Sequence, residues 1–414
     1  MNKNKLVVYQ INPRMFTPQG TLGAAKQLLP HIASMGVNVA YVFAICKEED
    51  SKDRHFWSKR QKKSKTNNPK NPYRIADYFE VDEEFGGNEQ LKEFVEEAHR
   101  LGLYVMLDLV YMHCAPNAKL IEAVPDGVYR DENGEVKLGP YKFPLLNFGS
   151  RALREYLIEN MRYFIREYDI DGYRCDVGDA IPLDFWQEAV EEIKKLKPDI
   201  LMLNEGAKIE YVESGVFDLN YHGFWALTAD KNICDYIKTS YGERKCNGIW
   251  FVENHDTVTD VGRVEHMFSS KICDCLYTYI FTTYGTPLLY CGEEIADKNA
   301  HNMFANKGHN PGNFGIDWSN ALLPDGKRRM ALIKKLAALR KTEDVLAYGN
   351  LQWLETEKDV LGFERIYNDE KVTVLINFDK KSKMIEVKGN ILLSRGYKDG
   401  KLSSAGFVIY KENK

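Results

Sequence analysis

The sequence predicts an α/β protein built on a closed (β/α)8 TIM barrel, with a short insertion after the third strand and a C-terminal antiparallel β domain. Three observations carry that prediction. Short runs of β-branched and aromatic residues alternate with segments of helical periodicity, the order that produces a parallel sheet. Eight such pairs can be drawn before residue 343. Eight units in succession favour a closed barrel over an open sheet, which needs edge strands and a switch point. Beyond that point the pattern changes to short alternating runs separated by turns.

The expected strands lie at 6–10, 37–43, 104–110, 172–176, 200–205, 217–220, 249–252 and 287–290. Ahead of the third strand, Leu91, Phe94, Val95, Ala98 and Leu101 recur at helical spacing, and Gly102 stands where a C-terminal cap belongs. After the insertion, Leu153, Tyr156, Leu157, Met161, Phe164 and Ile165 repeat that face, and a last helix falls near 327–341. Segment 114–149 is too long for an ordinary connection and reads as an inserted region, and 47–71 is a second long loop. The expected organisation is therefore a barrel over 1–113 and 150–343, the insertion at 114–149, and a β-sandwich-like domain over 344–414. In that last part the runs VLGFERI (360–366), VTVLIN (372–377) and FVIY (407–410) are punctuated by turn residues.

Composition sets outer limits. With 414 residues, 44% hydrophobic and 12% aromatic, the chain can bury a large core. Its 56 basic and 60 acidic side chains leave −4, which argues against nucleic acid or an anionic membrane as partner. No run of 18 apolar residues occurs, and the apolar start at 6–9 is broken by Gln10, Asn12 and Arg14. The expectation is a cytoplasmic protein without a spanning helix or export signal. Eight cysteines, at 46, 114, 175, 234, 246, 273, 275 and 291, show no CxxC repeat and no zinc spacing with histidine, so they read as reduced thiols. Eight basic residues between Lys52 and Lys70 read as a solvated loop, because no nucleic-acid motif accompanies them.

In a barrel of this kind the site forms at the C-terminal ends of the strands. Four strands close on polar residues: Asp108 to His113 after the third, Arg174 and Asp176 on the fourth, Glu205 on the fifth, and Asn254, His255 and Asp256 after the seventh. One carboxylate at a strand end is ordinarily a cap or a salt-bridge partner. Several converging carboxylates are what cleavage of a glycosidic bond requires, one ionised to attack or stabilise an oxocarbenium-like centre and one protonated to serve the leaving oxygen. Period-2 geometry puts Arg174 on the same face as Asp176, where a guanidinium can orient the carboxylate. Cys175, between them, should point outward into the helix layer.

These segments resemble the α-amylase family, glycoside hydrolase family 13. DLVYMH (108–113), GYRCD (172–176), NE (204–205) and VENHD (252–256) are similar to the family's four segments. NPYRIADY (71–78), FGG (85–87), FDLNY (217–221) and GTPLLYCGE (285–293) are further likenesses. The resemblance implies Asp176 as the nucleophile of a covalent glycosyl-enzyme, Glu205 as general acid/base, and Asp256 as the carboxylate that grips sugar hydroxyls. It implies sugar or nucleophile contacts from Arg174, His113 and His255, stacking from Tyr73, and a place for Asp108 among the substrate-binding residues. The implied activity is retaining hydrolysis of α-glucosidic bonds, α-1,4 among them, in malto-oligosaccharides or related α-glucans. The alternatives are transfer to another sugar or to phosphate, or glucan binding without catalysis on the same fold.

Two departures from the family pattern stand out. Met112 occupies the place of an asparagine that often helps hold calcium, and a thioether suits a hard cation poorly, so no cofactor or metal is expected. Asp179 and Ala180 replace a Lys–His pair, which alters the leaving-group side. Tyr141 and Phe143 of the insertion are expected to pack the loop, Trp57, Trp225 and Trp318 to pack the core, and the loop 299–318 to border the site.

Overall fold

A computed structural model describes residues 1–64, 66–225, 227–242, 248–305 and 314–412. Cys246 and residues 306–313 of the loop at 299–318 lie outside the described residues.

Eight parallel strands, Val8–Ile11, Val39–Val42, Tyr104–Leu109, Gly172–Cys175, Leu201–Asn204, Leu219–Tyr221, Gly248–Phe251 and Thr286–Tyr290, pair in chain order and close when Val8 registers with Leu288. Each is short and lies close to its expected place. Asp176 and Glu205, expected as terminal strand residues, sit one residue past their strands. Their amides still bond across, to Leu109 O and Cys175 O, so the backbone is held while the side chain leaves the ladder for the mouth.

Alternation along the strands sorts the core into two layers. Val8, Val39, Tyr41, Met106, Leu201, Leu203, Leu219, Tyr221, Ile249, Phe251 and Leu288 fill the lumen. Their neighbours, including Tyr9, Ala40, Leu107, Tyr173 and Cys175, face the helices. Cys175 therefore lies outside the lumen, as the spacing requires. Helix Gly87–Arg100 buries Leu91, Phe94, Val95 and Ala98, and Gly102 just beyond it takes φ 76°, a left-handed value that glycine adopts without strain. Helix Arg151–Tyr168 starts at Ser150, whose side chain accepts from Leu153 N.

Two excursions rise above the mouth. After the second strand, Cys46–Glu48 and Ile75–Val81 form an antiparallel ribbon that carries a loop with the short helix Lys59–Lys63. After the third, the insertion holds helix Lys119–Ala123 and isolated bridges such as Val128 to Leu146 and Leu138 to Pro144.

The C-terminal strands, Asn350–Trp353, Val360–Tyr367, Glu370–Asn377, Lys383–Met384, Gly389–Lys398 and Lys401–Glu412, are antiparallel but form one six-stranded sheet in place of the sandwich-like pair expected. Lys401–Glu412 is long enough to pair with three partners, and register shifts in its neighbour curl the sheet. The barrel helix Ser270–Thr282 covers one face and acts as the missing layer. Buried Arg365 joins the two parts, donating to Thr282 O, Thr283 O and Gly349 O at 2.6–2.7 Å. Among the described residues no helix is long and apolar enough to cross a membrane.

Candidate active site

The polar strand ends meet at one buried guanidinium. Arg174 has no solvent exposure; its Nη1 donates to Asp108 Oδ1 at 2.7 Å and Asp176 Oδ1 at 2.9 Å, and its Nη2 pairs with Glu205 Oε1 at 2.8 Å. One cation cannot neutralise three buried carboxylates, and their proton affinities respond. Burial pushes Asp176 up to about 7 against the pull of Arg174, with Asp108 and Asp256 adding to the rise. Burial likewise pushes Glu205 up to about 7, opposed by Arg174 and assisted by Asp176. Asp108 is raised to about 6 by burial, again opposed by Arg174. The cluster thus retains protons at a pH where an exposed carboxyl is fully ionised.

Asp256 behaves oppositely. Burial favours its neutral form, but His255, Arg60 and Arg174 outweigh it and hold the carboxyl well below the usual range. The side chain of Asn254 accepts from Asp256 N and Thr257 N while Thr257 Oγ1 accepts from Asn254 N, which fixes the turn that presents Asp256. Gln10 Nε2 donates to His255 Nδ1 at 2.7 Å, leaving the ring proton on Nε2, which lies 2.6 Å from Tyr73 Oη and 3.2 Å from Asp256 Oδ2. His255 therefore orients both Tyr73 and Asp256.

Asp176, Glu205 and Asp256 open into a cavity of about 300 Å³ shared with Tyr73, His113, Arg60, Tyr141, Phe143 and Phe304. His113 is buried, 4.8 Å from the Phe143 ring and 5.7 Å from that of Tyr141, and burial pushes its imidazole down to about 4, so it is neutral. Between Asp176 and the next glycine, Val177 takes φ 43°, an unfavourable value for a β-branched residue, and donates its N–H to Glu205 Oε2 at 2.8 Å. Strain at this position accompanies a direct bond from the Asp176 turn to Glu205.

Several expectations need correction. Asp108 does not line this cavity: it is buried beside Arg174, with Tyr41 Oη donating to its Oδ2 at 2.8 Å and Arg174 Nη1 to its Oδ1 at 2.7 Å. Arg174 and His255 have no solvent exposure; Arg174 contacts Asp176, one of the two kinds of contact expected of it, and His255 contacts Tyr73 and Asp256. Tyr141 and Phe143 do more than pack the insertion, since both wall the cavity. Trp57 is buried and Trp318 packs edge-on against Phe16 and His31, as expected, whereas Trp225, expected in the core, is exposed beside Tyr221 and Phe251; none lines the cavity. The basic loop is not merely solvated, because Lys59 and Arg60 border the carboxylates. Phe304, at the start of the loop 299–318, does reach the cavity.

Three contributors escaped the sequence reading. Gln10 and Tyr41 sit at lumen-facing positions near the ends of the first two strands, where two-residue spacing from Val8 and Val39 exposes them. Arg60 had only the basic run as its signal. Asp179, where the family pattern has lysine, accepts from Asn204 Nδ2 at 2.7 Å and from Ala207 N and Lys208 N at 2.9 Å, bracketing Glu205. A Cβ on Gly206 would lie 2.3 Å from Asp179 Cγ, so glycine permits this approach.

A parallel barrel with clustered carboxylates at the C-terminal mouth has the layout of a barrel enzyme. The sequence model of the α-amylase catalytic domain matches residues 10–133 and 135–330, and the chain belongs to the α-amylase family, glycoside hydrolase family 13. It is 28% identical over 350 residues to a cyclomaltodextrinase from Geobacillus thermopakistaniensis, covering 74% of this chain but 56% of that protein. It is 26% identical to a cyclomaltodextrinase from a Bacillus species, covering 90% and 73%. The chain thus spans little more than half the length of the first of these relatives. Among solved structures, an α-amylase from Lactobacillus plantarum superposes with TM-score 0.77 at 22% identity, covering 99% of both chains. A noncanonic maltogenic α-amylase from Thermotoga neapolitana superposes with TM-score 0.79 at 23% identity, covering 99% and 97%.

The Met112 carbonyl accepts from Leu146 N, its side chain offers only a thioether, and among the described residues no three His, Cys, Asp or Glu side chains gather to hold a metal.

Proposed function

We propose that this protein is a retaining glycoside hydrolase that cleaves α-glucosidic bonds, α-1,4 in particular, in malto-oligosaccharides or related α-glucans. The observation that carries the reading is the pair Asp176 and Glu205, both shifted to about 7 and both gripping one guanidinium at the base of a cavity walled by aromatic rings.

In this mechanism Arg174 favours the ionised form of Asp176, which attacks the anomeric carbon while protonated Glu205 gives its proton to the departing oxygen. Glu205, now ionised, takes a proton from water, and that water opens the glycosyl ester. Gripping neighbouring nitrogens of the same guanidinium keeps the two carboxyls close, in keeping with the spacing of about 5 Å typical of double displacement. Asp256, permanently ionised, accepts hydrogen bonds from sugar hydroxyls, and the Tyr73, Tyr141 and Phe143 rings offer apolar surface to the sugar face. The reading includes no metal and no cofactor. A cytoplasmic setting is supported by the seven described cysteines, all unpaired.

The test is a panel of maltose-series oligosaccharides, sucrose, trehalose and isomaltose, with and without phosphate, followed by NMR. Maltose-series substrates should release product first as the α-anomer. An initial β-anomer overturns the retaining mechanism, and a phosphorylated or transglycosylated main product overturns hydrolysis. Asp176→Asn should lower turnover by several orders of magnitude.

A further inference from the structure

The loop after the second strand is held by its own polar network. Ser58 caps helix Lys59–Lys63 by accepting from Gln61 N, and Gln61 Nε2 donates to the carbonyls of Asn68, Pro69 and Lys70 at 3.0–3.2 Å. Arg74, fully buried, ties Phe56 O and Pro69 O together, and Asn68 Nδ2 reaches Phe304 O across the mouth. This framework aims one side chain at the site. Arg60 Nη1 donates to Asp256 Oδ1 at 2.6 Å, Nη2 to Asp256 O at 3.1 Å, and Nε to Asp260 Oδ1 at 2.7 Å. The guanidinium thus spans two carboxylates of helix His255–Asp260. Since His255 Nε2 lies against Asp256 Oδ2, each oxygen of that carboxylate has its own cationic or N–H neighbour.

Asp256 is faced by His255 on its own turn, by Arg60 from the loop, by Arg174, Asp176 and Glu205 from the fourth and fifth strands, and by Tyr141 from the insertion. Arg174 is occupied by three other carboxylates, which leaves Arg60 as the cation in direct contact with Asp256. With its orientation set from both sides, the carboxylate can meet sugar hydroxyls without reorganising as charge develops.

We propose that Arg60 is a positioning residue for Asp256: by bridging Asp256 and Asp260 it locks the second-strand loop against the seventh-strand turn and fixes the carboxylate toward the sugar. This rests on the hydrolase reading above.

The test is a double-mutant cycle of wild type, Arg60→Gln, Asp256→Asn and the double variant, assayed on α-maltosyl fluoride, whose activated leaving group keeps weak variants measurable. Arg60→Gln should lower kcat by roughly 10- to 100-fold with KM changed by no more than about 3-fold. In the Asp256→Asn background the same substitution should cost less than about 3-fold, because the carboxylate charge that Arg60 orients is gone. Arg60→Lys should recover part of the loss, and Lys62→Gln, exposed on the same helix, should leave kcat/KM unchanged. An equal loss in both backgrounds, or none in either, overturns the proposal. An inactive wild type overturns the hydrolase reading instead. The pairing is then read from urea unfolding of the same four proteins, where additive shifts in midpoint overturn it.

Discussion

Replacing Arg174 by methionine tests the electrostatic core of the site directly. The side chain stays unbranched and apolar but loses its charge and its terminal nitrogens, leaving Asp108, Asp176 and Glu205 around a fully buried point with no cation. Removing one partner of a buried ion pair costs about 3–5 kcal/mol. That range applies here because no water-exposed position replaces the guanidinium. The cost must depend on pH. Asp108, Asp176 and Glu205 are already raised to about 6, 7 and 7, and losing Arg174 raises them further. A carboxyl whose folded pKa exceeds its unfolded value imposes no penalty below the unfolded pKa of roughly 4 and loses stability as pH rises through the folded value. The gap between wild type and Arg174→Met should therefore be small near pH 5 and clearly larger near pH 8. Urea unfolding followed by tryptophan fluorescence at the two pH values measures it. Adding Asp108→Asn should return about 1–2 kcal/mol at pH 8 by removing one unpaired charge. A loss under about 1 kcal/mol at pH 8, or an equal gap at both pH values, would refute the reasoning.

Other outcomes follow from the same geometry. The dependence of kcat/KM on pH should be a narrow bell near neutrality, falling on the acid side as Asp176 takes a proton and on the alkaline side as Glu205 loses one; a rate that stays flat from pH 7 to 9 contradicts the assignment. Asp179→Ala removes the clamp on both flanks of Glu205 and should lower kcat by roughly 10-fold with little change in KM, as steady-state kinetics will show. Dialysis against EDTA should leave both activity and thermal unfolding unchanged, and recovery on adding calcium to a dialysed, inactive sample would show that Met112 does not exclude the ion.

What could be read from the sequence is what local pattern encodes. Strand positions, the outward turn of Cys175 and the gathering of Asp176, Glu205 and Asp256 at one mouth all follow from two-residue alternation and from the barrel's rule that strand ends point one way. The same rule places Gln10 and Tyr41 in the lumen, so their roles were accessible in principle. It says nothing about which polar group a side chain meets. Asp108 obeys the strand-end rule, yet it is buried beside Arg174, whose Nη1 donates to its Oδ1.

The barrel, the order of its carboxylates and the family are legible along the chain, because each is written in spacing among a few neighbouring residues. That the insertion walls the cavity, that the C-terminal strands share one sheet backed by a barrel helix, and that Arg60 reaches Asp256 across 196 residues of chain emerge only from the folded chain. Contacts of that kind depend on how loops fold over the mouth, and loop backbones are fixed by polar networks such as that of Gln61 and Arg74, which carry no periodic signal.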